Sequence, residues 1–113
     1  MKVILQRSKQ ASVTVDGNVV GKIDHGLVVL VGFTHTDTIE EIEWMVDKIT
    51  HLRIFDDENK VMNQSLFDVS GSILSVSQFT LYADTKKGRR PSYVDALNGE
   101  KAITLYELFN QKL

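Results

Sequence analysis

The stretch Ser77-Gln78-Phe79-Thr80-Leu81-Tyr82-Ala83-Asp84 is the best equipped for chemistry, because it sets polar side chains into a run that begins as Ile73, Leu74 and Val76. In a regular strand Gln78 and Thr80 share one face and Ser77 and Phe79 the other. Polar groups so placed must be satisfied inside the protein or face something outside it. A half-exposed edge strand also accounts for them without catalysis, since threonine favours strands and glutamine tolerates water. Lys86-Lys87-Gly88-Arg89-Arg90 follows, with four cations in five residues. In most proteins such a run is merely solvated. Beside a polar strand it can also neutralise phosphates, a task that suits the arginine fork better than lysine.

Other chemistries find little footing. His25, His35 and His51 fall in a turn, after a strand and near a helix end, with no pair at ligand spacing, so no metal site is expected. The chain has no cysteine, which excludes a disulfide scaffold, a thiolate zinc site and a cysteine nucleophile. There is no nucleophile elbow, no phosphate-cradling glycine loop before a helix and no obvious carboxylate pair. Thr85-Lys86-Lys87-Gly88 carries its lysines before the glycine, the reverse of a phosphate loop. No cofactor is expected.

The elements that must position these residues follow from periodicity. Lys2–Arg7 and Ala11–Val15 read as strands, Asp16-Gly17-Asn18 as a tight hairpin turn, and Val19–Ile23 as the returning strand. Leu27–Phe33 is apolar on both faces, which predicts a central strand covered on both sides. From Thr38 the period changes. Ile39, Ile42, Met45, Val46, Ile49 and Leu52 recur at helical steps, Asp37 or Thr38 can cap the helix, and Glu40 and Glu41 suit its first turn. Trp44 lies off that stripe, as a ring on the helix shoulder or, more sharply, as a subunit contact. Arg53-Ile54-Phe55 is expected as a short strand, Asp56–Lys60 and Ser70-Gly71-Ser72 as turns, and Ile73–Tyr82 as the second strong strand. The loop Asp84–Arg90 and a final helix through Ala102, Ile103, Leu105, Tyr106, Phe109 and Leu113 complete the pattern.

With 113 residues, 42% of them apolar, two independent cores do not fit, and one α+β domain is expected: a mostly antiparallel, curled or barrel-like sheet with two helices. The apolar run Val3-Ile4-Leu5 is too short for a signal peptide or a membrane span, so no membrane partner and a cytoplasmic location are expected. Thirteen basic against fifteen acidic residues give a net charge of −2, so contact with nucleic acid must come from local clustering.

Ser77–Asp84 resembles the signature of the D-aminoacyl-tRNA deacylases, known first as D-tyrosyl-tRNA deacylases. Gln6-Arg7, Ala11–Gly17, Gly26–Gly32, Arg53-Ile54-Phe55, Met62-Asn63 and Arg90-Pro91-Ser92 are similar to that family in order and spacing, so the likeness runs through residues 1–113. It implies a homodimeric barrel-like fold that hydrolyses the ester joining a D-amino acid to tRNA, or glycine mischarged on tRNA-Ala. Its partner is the aminoacylated 3′ end of tRNA, with no DNA partner implied. It nominates Ser77, Gln78, Phe79 and Thr80 as catalytic, with the backbone N–H groups of Phe79 and Thr80 holding the developing oxyanion. A nucleophilic Thr80 hydroxyl carries less weight, because no adjacent base is obvious. Arg7, Lys86, Lys87, Arg89 and Arg90 are nominated for substrate binding.

The family's second signature, a Gly-Pro pair in a C-terminal segment that excludes L-amino acids, is not found in these residues, whose only proline is Pro91. An incomplete sequence of an ordinary deacylase is favoured over a naturally shortened homologue, and Arg7, the residue implied to hold the Gly-Pro carbonyls, is retained. Were these residues the whole protein, weak discrimination between D- and L-substrates and an exposed apolar sheet edge would be expected. A non-enzymatic RNA-binding or dimerisation module is the alternative.

Overall fold

Leu27, Val29 and Val31 are wholly buried, and the strand that carries them, β4 (Gly26–Gly32), organises the molecule. The structure is a computed structural model describing residues Met1–Leu113. β4 is the middle of a three-stranded sheet, antiparallel to β1 (Lys2–Ser8) on one side and parallel to β7 (Ser72–Ser77) on the other. β2 (Ala11–Val15) and β3 (Asn18–Ile23) form a separate hairpin, and β5 (Phe55–Asp56) pairs with β6 (Met62–Gln64). Asp16 and Gly17 both adopt positive φ (49° and 80°), the backbone that a tight two-residue hairpin demands.

Helices α1 (Ile39–His51) and α2 (Glu100–Lys112) pack together and close the core. Ile42 and Ile49 from α1 and Leu105 and Phe109 from α2 bury themselves with Leu27, Val29, Val31 and Phe33. Phe33 meets Phe109 edge to face at 6.3 Å. Thr38 caps α1 through a full capping box with Glu41, and these hydrogen bonds hold the Glu41 carboxyl below its ordinary pKa. Asp37 does different work. It is buried, taking the Met1 ammonium on Oδ1 and the Thr34 N–H on Oδ2, each at 2.7 Å.

Three expectations change. The sheet does not close: the strands fall into sheets of three, two and two, so the fold is α+β without a barrel in this chain. The outer face of β4 is only half covered, with Val28 and Leu30 partly exposed. The run from Ile73 to Tyr82 is not one strand, because β7 ends at Ser77 and Phe79–Tyr82 forms a single turn of 3-10 helix. The cause is the partner strand. Val31 opposite Ser77 is the last register pair, and past Gly32 the chain leaves to bridge Thr34 with Ala96, so Phe79–Tyr82 has no ladder to join.

Candidate active site

The turn that replaces the strand sets the geometry of the site. Gln78 N–H donates to Val31 O at 2.7 Å, and Leu81 N–H returns to Gln78 O at 3.3 Å. The chain thereby folds across Gly32, whose missing side chain makes room: a Cβ there would lie 2.8 Å from Gln78 O. A 3-10 turn leaves its first donors without acceptors inside the turn. Those donors are the N–H groups of Phe79 and Thr80, and neither finds another acceptor in the chain. The Thr80 hydroxyl accepts from the Gln78 side-chain amide, its one side-chain partner, and an amide cannot take up a proton. Ser77, half of the expected polar pattern, is exposed at the strand end.

Asp84 and Ser92 exchange backbone hydrogen bonds at 2.7 and 2.8 Å, closing the basic loop immediately after this turn. Lys86, Lys87, Arg89 and Arg90 are all exposed on it, and none pairs with a carboxylate. The same bridge brings in a residue that the sequence reading passes over. Tyr93 packs edge to face on Phe79, centroids 5.5 Å apart, although it sits directly beside the recognisable Arg90-Pro91-Ser92. On the other flank Lys2 Nζ lies 4.6 Å from the Tyr82 ring centre and donates to Leu81 O at 3.3 Å. Burial of Tyr82, and then the charges of Asp37 and Asp95, push its phenol pKa above the usual value, so it stays a neutral donor at pH 7.

Arg7 is elsewhere. It pairs with Leu27, four positions along β4 from the Val31–Ser77 pair, and lies on the opposite side of β4 from β7, which puts it about 13 Å along the strand direction and two strands across from Ser77. Its guanidinium binds Asp56 at 3.3 Å beside a cleft of about 510 Å³. A second cleft, about 560 Å³, is lined by residues that include Phe67, Ile73, Ser75 and Leu113 and by none of Ser77–Asp84. The histidines are dispersed, with His25, His35 and His51 donating to the carbonyls of Val69, Val94 and Asp47 respectively.

Residues 4–113 match the family profile described as D-Tyr-tRNA(Tyr) deacylase. The chain belongs to this family. A D-aminoacyl-tRNA deacylase of Brevibacillus brevis is 60% identical over all 113 residues, which cover 78% of that protein, and one of Geobacillus sp. (strain WCH70) is 58% identical with 74% covered. Among solved structures, the c-Myc DNA Unwinding Element Binding Protein superposes with a TM-score of 0.93 at 42% identity, over 100% of this chain and 76% of that one. A probable eukaryotic D-amino acid tRNA deacylase gives 0.82 at 25% identity, over 97% and 64%. The deacylase fold is therefore carried through the whole length of this chain.

Proposed function

We propose that this protein hydrolyses the ester between a D-amino acid and the 3′-terminal adenosine of tRNA, releasing free amino acid and reusable tRNA as translation quality control. The observation that carries the reading is the pair of unengaged N–H donors at Phe79 and Thr80, adjacent in the family signature and presented at the end of β7. An aminoacyl ester is already activated, so the protein must mainly position it and polarise its carbonyl. Water attacks the carbonyl carbon, the oxyanion settles on the two N–H groups, and the ester C–O bond then breaks as the ribose 3′-oxygen leaves with a proton. The neighbouring ribose 2′-hydroxyl helps activate the water, because Thr80 has only an amide beside it.

The 3′ end is single-stranded, and its base stacks on the exposed Phe79 ring. Lys86, Lys87, Arg89 and Arg90 approach its phosphates, while Arg7, engaged with Asp56, takes no part in this protomer's pocket. The assembly is a homodimer in the cytoplasm, where tRNA substrates reside; the exposed Trp44 ring and the open edges of β1 and β7 offer surfaces for association and for barrel-like closure.

Incubation with D-Tyr-tRNA beside L-Tyr-tRNA tests the activity. Release of D-tyrosine at least ~100-fold above spontaneous hydrolysis is expected, and no release overturns the proposal. The basic loop has its own signature. Neutralising Lys86, Lys87, Arg89 and Arg90 together should flatten the plot of log affinity for tRNA against log salt by up to about 3. An unchanged slope would remove the loop from the interface.

A further inference from the structure

Phe79 and Tyr93 are 45% and 38% exposed, and Val94 beside them is 78% exposed. Single exposed apolar side chains are ordinary, but two large rings that pack on each other in water, next to unengaged backbone donors, form a patch that calls for an occupant. The backbone around Tyr93 is held from several directions. Ser92 is bridged to Asp84, Tyr93 O accepts from Ala96 N–H at 3.0 Å, and Val94 O accepts from His35 Nε2 at 2.8 Å. Asp95 O accepts from the Thr34 hydroxyl at 2.6 Å. The ring is thus presented from a fixed support. The planes of the two rings meet at 68°, an open aromatic corner into which a flat heterocycle can lay its face on one ring and its edge on the other.

We propose that Tyr93 is a base-binding residue of this site: with Phe79 it forms a two-walled seat for the purine of the terminal nucleoside, and so registers the ester carbonyl against the Phe79 and Thr80 N–H groups. The inference deepens the proposed deacylase activity and rests on it. One residue links the two ends of the substrate, because Phe79 contributes its ring to the seat and its N–H to the oxyanion. The loop that the Asp84–Ser92 bridge closes carries Lys86, Lys87, Arg89 and Arg90, exposed and without carboxylate partners.

The test compares two esters, D-tyrosyl-adenosine and the 3′-O-D-tyrosyl ester of methyl riboside, which share the scissile bond and the neighbouring 2′-hydroxyl and differ in the base. Tyr93→Ala should lower kcat/KM for D-tyrosyl-adenosine about tenfold, mostly through KM, and leave the riboside ester within about twofold. Tyr93→Phe should restore the adenosine substrate. An equal fall on both esters makes Tyr93 a mere prop for Phe79 and overturns the proposal, as does an unchanged rate on D-tyrosyl-adenosine. Wild-type protein that hydrolyses D-tyrosyl-adenosine while Tyr93→Ala matches it sinks the seat alone; wild-type protein inert on both esters and on D-Tyr-tRNA sinks the deacylase reading with it.

Discussion

Gly26→Ala is expected to cost at least ~4 kcal/mol of stability, a large share of the roughly 5–15 kcal/mol that a domain possesses. Gly26 begins β4 at φ 142°, and a Cβ there would lie 1.9 Å from Ser72 O, 2.6 Å from Ser72 N and 2.8 Å from Ser72 C. All three are backbone atoms, so no side-chain rotation relieves the clash. The residue also stands opposite Ser8 of β1 and Ser72 of β7, the point at which all three strands of the main sheet start or finish together. Forcing β7 away there loosens the parallel ladder that ends in Ser77, and with it the turn that carries Phe79 and Thr80. Thermal unfolding followed by circular dichroism should show a midpoint lower by ~15 °C or more. Gly17→Ala supplies the contrast, since φ is also positive but nothing lies within 4 Å of the added carbon. It should cost only about 1 kcal/mol. Equal midpoints for the two variants would contradict this view of the strand junction.

The sequence made the main elements legible where the information is local. The three-and-four spacing from Ile39 to Ile49 marks α1, and the capping box at Thr38 fixes its start. The apolar run of β4 marks the central strand. The end of β7 was not legible, because Phe79-Thr80-Leu81-Tyr82 has strand-like composition and only the departure of β4 after Gly32 tells the chain to stop pairing. A strand's limits belong partly to its neighbour. The parallel partnership of β4 and β7 is likewise a property of the fold, as is the open edge where a closed sheet was expected.

Within the site, Ser77–Thr80 stood out through polar residues in an apolar run and through the family signature. Their geometry did not, since a strand would have alternated them across two faces, whereas the turn gathers two N–H donors together. Tyr93 escaped notice because its partnership with Phe79 depends on the Asp84–Ser92 bridge. Arg7 shows the opposite case, a residue singled out by resemblance that the sheet register carries about 13 Å along the strand direction and two strands across from Ser77.

The chemistry rests on main-chain donors, so side-chain replacement at Thr80 and removal of its N–H should have very different consequences. Thr80 N–H makes no hydrogen bond in the folded chain, and its loss therefore leaves the fold in place. Each such donor in an acyl-transfer site is worth about 10²–10³ in rate, because it meets charge that develops only as the carbonyl becomes tetrahedral. The decisive measurement is the single-turnover rate of D-Tyr-tRNA deacylation by protein in which the Phe79–Thr80 amide is replaced by an ester, set beside Thr80→Ala. The ester variant should fall ~10²–10³-fold and Thr80→Ala should stay within about threefold of wild type. An intact fold in which Thr80→Ala is inactive while the ester variant turns over normally would contradict it, and would hand the chemistry to the threonine hydroxyl.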